Sequence, residues 1–270
     1  MDLRKLFAVA GRSAVVTGGA SGIGFAIADI LSDQGARVTL LDRDPAKIKS
    51  AVSRLSGREG AVRGEVVDVT DTDGLRRAFD AAASAQDGID IVFANAGVGG
   101  SVRGPRGRDG SPVPEGEIDS YDLADWQKVL DINVTGAFLT AREAARHMKK
   151  KGWGRLIITS SVFALKNPMT VGVAYTVSKA AVAHFMRNLA AELAPHGINV
   201  NAIAPGPFET EIGEGIMHDP GLKAILGAEL PLGRVGQVEE LQGLALFLAS
   251  PASSYMTGAH LSVDGGLAIV

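Results

Sequence analysis

Short apolar runs alternate with longer amphipathic stretches along the chain. The apolar runs predict seven buried strands, at about residues 13–17, 36–42, 61–68, 89–94, 154–161, 197–204 and 259–263. Helical periodicity occupies most of the intervals, at about residues 25–35, 45–55, 71–86, 121–151, 175–186 and 241–248. Strand–helix units of this length predict an α/β fold, in which a doubly wound parallel sheet of the Rossmann type carries helices on both faces. Because no repeat or linker interrupts the pattern, we expect residues 1–270 to form a single domain.

The first predicted strand runs into a glycine-rich turn and then a helix. Glycines allow the backbone to turn tightly and to approach a pyrophosphate, and the helix N-terminus offers unpaired N–H groups. This context predicts a dinucleotide-binding turn made by Gly18, Ser21, Gly22, Ile23 and Gly24. A tight turn without a ligand is the alternative.

An acid, Asp42, ends the second predicted strand, at the place expected for a carboxylate that binds ribose hydroxyls. Two like charges about 4 Å apart repel by ~4 kcal/mol at an effective dielectric constant near 20, so Asp42 disfavours a 2′-phosphate. We therefore expect NAD rather than NADP as the cofactor. NADP remains the alternative because the guanidinium of Arg43 could pair with the 2′-phosphate.

Composition limits the other classes of function. The 27 Lys and Arg residues against 30 Asp and Glu give a formal net charge of −3, which provides no basic field for nucleic acid or anionic membrane. No apolar run is long enough to span a membrane, and no cysteine is present for disulfides or thiolate zinc sites. We expect a cytoplasmic protein with no metal, nucleic-acid or membrane partner.

Tyr175 and Lys179 stand four residues apart at the start of an alanine-rich helical segment, so they share a helix face. A free phenol titrates near ~10, and a cation nearby lowers that pKa toward the working range of a general base. The pair taken alone is equally consistent with a tyrosine that packs over a lysine stem.

A series of motifs stands in order along the chain: Thr17-Gly-x-x-x-Gly-x-Gly24, Asn95-Ala96-Gly97, Asn133, Ser161, Tyr175-x-x-x-Lys179 and Pro205-Gly206. With them the chain resembles the classical short-chain dehydrogenase/reductase family over about residues 11–266. The resemblance implies that Tyr175 transfers the proton, Ser161 holds the substrate oxygen and Lys179 lowers the pKa of Tyr175. It further implies that Asn133 holds a water connected to Lys179. Ser160 competes with Ser161 for the serine role.

The same resemblance implies the remaining cofactor contacts. Asp68 and Val69 would contact the adenine, and Asn95 and Gly97 would lie near the ribose. Tyr175 and Lys179 would reach the nicotinamide ribose. Pro205, Gly206, Phe208 and Thr210 would surround the nicotinamide carboxamide.

The function implied is reversible hydride transfer between NAD and a secondary alcohol or ketone. From Ser178 onward the chain resembles the sugar-acid and cyclic-alcohol dehydrogenases of the family, such as gluconate 5-dehydrogenase. An NADPH-dependent reductase of the 3-oxoacyl-carrier-protein type is the alternative enzyme, and a nucleotide-sensing protein without turnover is the non-enzymatic one. The resemblance also implies a homotetramer, or a dimer.

Two stretches show neither pattern clearly. Residues 98–120 are rich in glycine and proline and form a longer connection than the family usually has. Arg103, Arg106 and Arg108 in this loop would meet an anionic substrate or a neighbouring subunit, or else the loop is simply solvated. Residues 207–232 fit a partly helical substrate lid, with a surface helix pair as the alternative.

Overall fold

The computed structural model describes residues 3–101, 103–210 and 220–270. Within them a seven-stranded parallel sheet has the order β3-β2-β1-β4-β5-β6-β7. The strands are β1 (Ser13–Thr17), β2 (Arg37–Asp42), β3 (Val62–Val66), β4 (Ile91–Ala94), β5 (Gly154–Thr159), β6 (Ile198–Pro205) and β7 (His260–Val263). The order reverses between β1 and β4, which creates the crevice where ligands bind in such sheets. The predicted fold class is confirmed.

Helices cover both faces of the sheet. They are α1 (Leu3–Leu6), α2 (Gly22–Asp33), α3 (Pro45–Arg54), α4 (Thr72–Gln86), α5 (Leu123–Leu130), α6 (Gly136–Lys151), α7 (Val173–Leu193), α8 (Pro220–Ala228) and α9 (Gln242–Ala249). The described part of the chain contains no helix that is long and apolar enough to cross a membrane.

Two hydrophobic clusters sandwich the sheet, because successive side chains of a strand point to opposite faces. Val15 of β1 packs with Phe79 and Met148 on one face, while Val16 packs with Ile27 and other buried side chains on the other. Burying a side chain of this size stabilises the fold by roughly 1.5–3 kcal/mol. The two clusters hold the strand ends, and therefore the residues that follow them, at one edge.

Two predicted strands end earlier than their apolar runs. The third ends at Val66 rather than 68, because the Asp68 side chain accepts hydrogen bonds from the N–H and hydroxyl of Thr70 and turns the chain. The fifth ends at Thr159, and Ser161 instead begins a short 3₁₀ turn.

The helix predicted over residues 121–151 is interrupted. Helices α5 and α6 are joined by a π-helical turn at Asp131–Thr135 that contains Asn133. The loop at 98–120 has more structure than its composition indicates, with an isolated β-bridge between Arg106 and Pro112 and a 3₁₀ turn at Pro114–Gly116. In the stretch predicted as a lid, residues 220–228 form α8 and residues 211–219 lie outside the described residues, so the lid stays a prediction.

Candidate active site

The carboxyl ends of the strands open into one cleft of about 900 Å³. Most of the predicted site residues line it: Gly18, Ser21, Gly22, Ile23, Asp42, Asp68, Val69, Asn95, Gly97, Tyr175, Lys179, Pro205, Gly206, Phe208 and Thr210. Gly24, Asn133 and Ser161 lie behind this lining, and each contacts one of its residues. The topology therefore gathers the predicted residues at one sheet edge.

Glycines are required in the turn after β1. Gly18 has a left-handed φ of +62°, and a Cβ atom there would lie 2.9 Å from the Cα of Ala96. A Cβ on Gly24 would lie 2.1 Å from the carbonyl oxygen of Gly18. Ser21, the N-cap of α2, makes no side-chain capping bond. The first N–H groups of this 12-residue helix thus lack helical partners where the turn meets the cleft.

Two carboxylates mark the other end of the cleft. Asp42 accepts hydrogen bonds from the N–H of Ala20 at 3.4 Å and from the N–H of Asp44 at 3.2 Å, so it bridges β2 and the glycine-rich turn. Asp68 follows β3, beside Val69. Arg43 and Lys47 line the same end of the cleft and are exposed, so both charge types are available to a cofactor there.

A hydrogen-bond network ties together the ends of β1, β4 and β5. The Asn95 amide donates to the Thr17 carbonyl at 3.1 Å, and its Oδ1 accepts from the Thr159 hydroxyl at 3.0 Å. The Thr17 hydroxyl accepts from the N–H of Asn95 at 3.0 Å. Sequence reasoning did not assign Thr159 to the site. Its position as the last residue of β5, facing the cleft, was the available signal.

Tyr175 lies in the first turn of α7, and its hydroxyl forms a side-chain hydrogen bond with Ser161. Burial raises the pKa of Tyr175, and the bond from Ser161 acts in the opposite, lowering direction. Ser160 borders the cleft too, but its hydroxyl donates to the Lys179 carbonyl at 3.0 Å. Of the two candidate serines, Ser161 is the one whose hydroxyl reaches the phenol.

Lys179 is buried one helical turn further along α7. Its Nζ donates to the Thr159 carbonyl at 3.0 Å and lies 5.7 Å from the centroid of the Tyr175 ring. Desolvation lowers the pKa of Lys179 to about 8. Burial has a larger effect on the phenol than the bond from Ser161, so the net pKa of Tyr175 is raised. The role of Lys179 in lowering that pKa stays a prediction.

Asn133 sits in the π-helical turn with all of its amide groups in use. Its Nδ2 donates to the Val98 carbonyl and the Ser178 hydroxyl, both at 2.9 Å, and its Oδ1 accepts from the N–H of Val98 at 2.8 Å. A Cβ on Gly97 would lie 3.2 Å from this Oδ1 and 3.3 Å from the Nζ of Lys179. Asn133 therefore couples the segment after β4 to α7, and a side chain at position 97 would require Asn133 or Lys179 to shift by a few tenths of an ångström.

The segment after β6 closes the far side of the cleft. Gly206 packs so tightly on Asp264 that a Cβ would lie 2.6 Å from its Cα atom. Phe208 is buried against Gly236, and Thr210 reaches across to Gly22 of the glycine-rich turn. Through the contact of Thr210 with Gly22, the segment after β6 meets the glycine-rich turn across the cleft.

The first part of the loop at 98–120 lines the cleft, with residues 98–101 and 103. Buried Asp125 of α5 accepts hydrogen bonds from the backbone and hydroxyl of Ser101 and from the Tyr121 hydroxyl, which pins both ends of the loop. Burial and Asp125 raise the pKa of Tyr121 to about 12. The loop continues over the segment before α7, and its Arg108 pairs with Glu229 at 3.2 Å, just beyond α8.

Known proteins resemble the chain over its full length. The family model described as enoyl-(acyl carrier protein) reductase matches residues 18–268. A crystal structure of a short-chain type dehydrogenase/reductase from Mycobacterium marinum shares 36% identity and covers 100% of both chains, with a TM-score of 0.89. The chain belongs to the short-chain dehydrogenase/reductase family. It is accordingly an oxidoreductase, of a family that interconverts secondary alcohols and ketones.

Two further relatives of this dehydrogenase/reductase have named substrates or ligands. The cis-4-hydroxycyclohexanecarboxylate dehydrogenase of Sinomonas cyclohexanicum is 36% identical over 97% of this chain and 99% of its own length. A gluconate 5-dehydrogenase from Burkholderia cenocepacia, crystallised with NADP and tartrate, is 33% identical, covers 100% of both chains and has a TM-score of 0.88.

The residues present fit the nicotinamide cofactor that the family uses. The glycine-rich turn at Gly18–Gly24 leaves backbone N–H groups for a pyrophosphate, and the cleft continues unbroken from Asp42 to Tyr175. Among the described residues no group of His, Asp or Glu side chains has the arrangement of a metal site.

Proposed function

We propose that the protein interconverts a secondary alcohol and a ketone with NAD, on a substrate of the sugar-acid, polyol or cyclic-alcohol type. The observation that carries this proposal is the hydrogen-bonded Ser161–Tyr175 pair, with Lys179 beneath it, at the end of a dinucleotide-sized cleft. A nicotinamide cofactor supplies the acceptor or donor of hydride when bound. The names of the two relatives support the substrate types, since one acts on a hydroxycyclohexanecarboxylate and the other is a gluconate dehydrogenase.

The three side chains divide the proton chemistry. In alcohol oxidation the Tyr175 phenolate accepts the hydroxyl proton, and in ketone reduction the phenol donates a proton to the carbonyl oxygen. Ser161 donates a hydrogen bond to the same substrate oxygen and favours the phenolate. Lys179 has a pKa of about 8 and is therefore largely protonated at neutral pH. Its charge stabilises the negative charge that develops on the Tyr175 oxygen and the substrate oxygen. Asn133 holds the backbone of Val98 and the hydroxyl of Ser178 in place beside Lys179.

The cofactor would be held by the residues that line the cleft. Gly18, Ser21, Gly22, Ile23 and Gly24 would bind the pyrophosphate. The remaining predicted contacts would bind the adenosine and nicotinamide ends, from Asp42, Asp68, Val69, Asn95 and Gly97 through Tyr175 and Lys179 to Pro205, Gly206, Phe208 and Thr210.

Asp42 supports NAD over NADP, because its carboxylate would repel a 2′-phosphate. Arg43 and Lys47 favour the alternative, an NADPH-dependent ketoreductase of the 3-oxoacyl type, since both cations line the same end of the cleft. The NADP in the similar gluconate 5-dehydrogenase structure supports the same alternative. Initial rates with both cofactors decide between them, and a strong preference for NADP(H) overturns the NAD assignment.

We also propose a homotetramer or dimer. Large apolar side chains are exposed along three neighbouring helices: Leu123 of α5, Phe138 of α6 and Val177 of α7. Sedimentation velocity tests this proposal, and a monomer at assay concentrations contradicts it.

Turnover of gluconate, cis-4-hydroxycyclohexanecarboxylate and uncharged secondary alcohols with NAD tests the reaction. We expect the change Tyr175→Phe to lower turnover by about 100-fold or more while NAD binding is retained. Tyr255→Phe is the matched control, because Tyr255 is fully exposed and lies outside the cleft. Undiminished turnover in the Tyr175 variant refutes the proposed chemistry.

A further inference from the structure

The charges along the cleft are distributed unequally. Its acids are Asp42, Asp44 and Asp68, which lie at or just beyond the ends of β2 and β3, at the adenosine end. A second part of the lining, here called the rim, consists of residues 98–101, 103 and 170–172. Among these described residues there is no acid, and the one cation is Arg103. A ligand beside Tyr175 therefore meets a positive charge on the loop side.

Arg103 differs from the two other arginines of the loop. Arg108 is paired with Glu229, and Arg106 does not line the cleft. Arg103 lines the cleft with an exposed side chain. Its guanidinium makes no hydrogen bond or ion pair with any residue that the structure describes. Its donors are available to a ligand.

The backbone on either side of Arg103 is firmly seated. Ser101 is held by Asp125, and a Cβ on Gly104 would lie 2.2 Å from the Met169 carbonyl oxygen. The N–H of Arg106 donates to that same carbonyl at 3.1 Å. Because residues 169–172 lead directly into the first turn of α7, the base of Arg103 is fixed relative to Tyr175.

We propose that Arg103 binds a carboxylate of the substrate and makes this site selective for hydroxy acids and keto acids. A guanidinium matches a carboxylate in a bidentate, charge-assisted pair, and it cannot lose its proton in the working pH range. The inference rests on the proposed function, because it concerns the substrate of that same site. It names a residue of the loop at 98–120 as the binding partner of the substrate carboxylate.

Binding to the NADH-loaded protein tests the inference without turnover. Calorimetry compares cyclohexanecarboxylate with cyclohexanecarboxamide, which has nearly the same shape and no charge. We expect the carboxylate to bind about tenfold more tightly or better in the wild type, and Arg103→Leu to remove that preference. Arg106→Leu is the matched control, since it removes the same charge from the same loop outside the cleft, and it should retain the preference.

A second comparison uses rates. The kcat/KM ratio of 4-hydroxycyclohexanecarboxylate to its carboxamide should fall about tenfold in Arg103→Leu, mainly through KM. Arg103→Lys should recover part of the ratio. Raising the salt concentration should reduce the ratio in the wild type, because ions screen an exposed charge pair.

Each result bears on one proposal. Equal affinity for acid and amide, failure of the carboxylate to bind, or equal losses in the Arg103 and Arg106 variants overturns the inference. Lys128 of α5 also lines the cleft and is the other cation that could bind the carboxylate. If Lys128→Met removes the preference for the carboxylate and Arg103→Leu does not, the inference is overturned. Turnover of neutral alcohols without any preference for acids leaves the proposed function standing. Selective binding of carboxylates without turnover of any alcohol leaves the inference standing and removes the function.

Discussion

The Nζ atom of Lys179 lies 5.7 Å from the centroid of the Tyr175 ring and gives its hydrogen bond to the Thr159 carbonyl. The lysine is thus near the phenol but anchored to strand β5. Burial acts on both groups, raising the pKa of Tyr175 and lowering that of Lys179 to about 8. The site disfavours the charged form of each side chain that the chemistry needs, which is typical of functional sites.

Lys179→Met should stabilise the protein at neutral pH. The pKa of Lys179 falls from 10.5 to about 8 on folding, which corresponds to roughly 3 kcal/mol of desolvation. The substitution removes this cost but also the hydrogen bond to the Thr159 carbonyl, whose loss destabilises the protein by about 1 kcal/mol. We expect a net gain of about 2 kcal/mol at pH 7 in the free energy of unfolding.

The pH dependence gives the control for this variant. Between the folded pKa of about 8 and the unfolded value of 10.5, the unfolded wild type binds more protons than the folded protein. Wild-type stability therefore rises with pH across this window, and the advantage of the variant decreases. Urea unfolding at several pH values measures both, and a constant difference would contradict the assigned burial cost.

Ser161→Ala should shift the pH profile of alcohol oxidation to higher pH. Oxidation needs the phenolate, and the Ser161 hydrogen bond lowers the pKa of Tyr175, so its loss raises that pKa further. We expect the rising limb of kcat to move toward alkaline pH, with a 10- to 100-fold lower rate at neutral pH.

Ser160→Ala is the matched control for this shift. Its hydroxyl donates to the Lys179 carbonyl rather than to the phenol. The variant should lose about 1 kcal/mol of stability and keep the wild-type pH profile. A shifted profile in Ser160→Ala alone would show that the serine roles are reversed.

Gly24→Ala should disrupt the glycine-rich turn. The added Cβ would lie 2.1 Å from the Gly18 carbonyl oxygen and 2.6 Å from the Nδ2 of Asn95, so the backbone must move. We expect at least a tenfold loss of NAD affinity, measured by fluorescence titration. Gly243→Ala in α9 is the control, because open space surrounds that position. It should leave NAD binding unchanged and stabilise the helix by up to ~1 kcal/mol.

Asp42→Asn should change the cofactor ratio. The substitution removes the negative charge that would repel a 2′-phosphate, while Arg43 and Lys47 remain. We expect the ratio of kcat/KM for NADP to that for NAD to rise at least tenfold. Asp44→Asn is a control from the same end of the cleft, and an equal rise in both variants would point to a general charge effect.

Sequence patterns determined the sheet and the edge at which the chemistry lies. Apolar runs and helical periodicity are local signals, and parallel strands separated by helices place all their carboxyl ends together. Gly18, Asp42, Asn95 and Tyr175 could thus be assigned to one cleft from their positions after strands and at a helix start. Most helix and strand bounds were accurate to about two residues for the same reason.

Only the tertiary structure decided how these side chains meet. It showed which of Ser160 and Ser161 reaches Tyr175, and it added Thr159 as the partner of Lys179. It also revealed the burial that raises the pKa of Tyr175, because desolvation depends on every element packed around a group and has no local sequence signal. The structure likewise placed the loop of Arg103 against the segment before α7, a contact between stretches some 65 residues apart that no periodicity encodes.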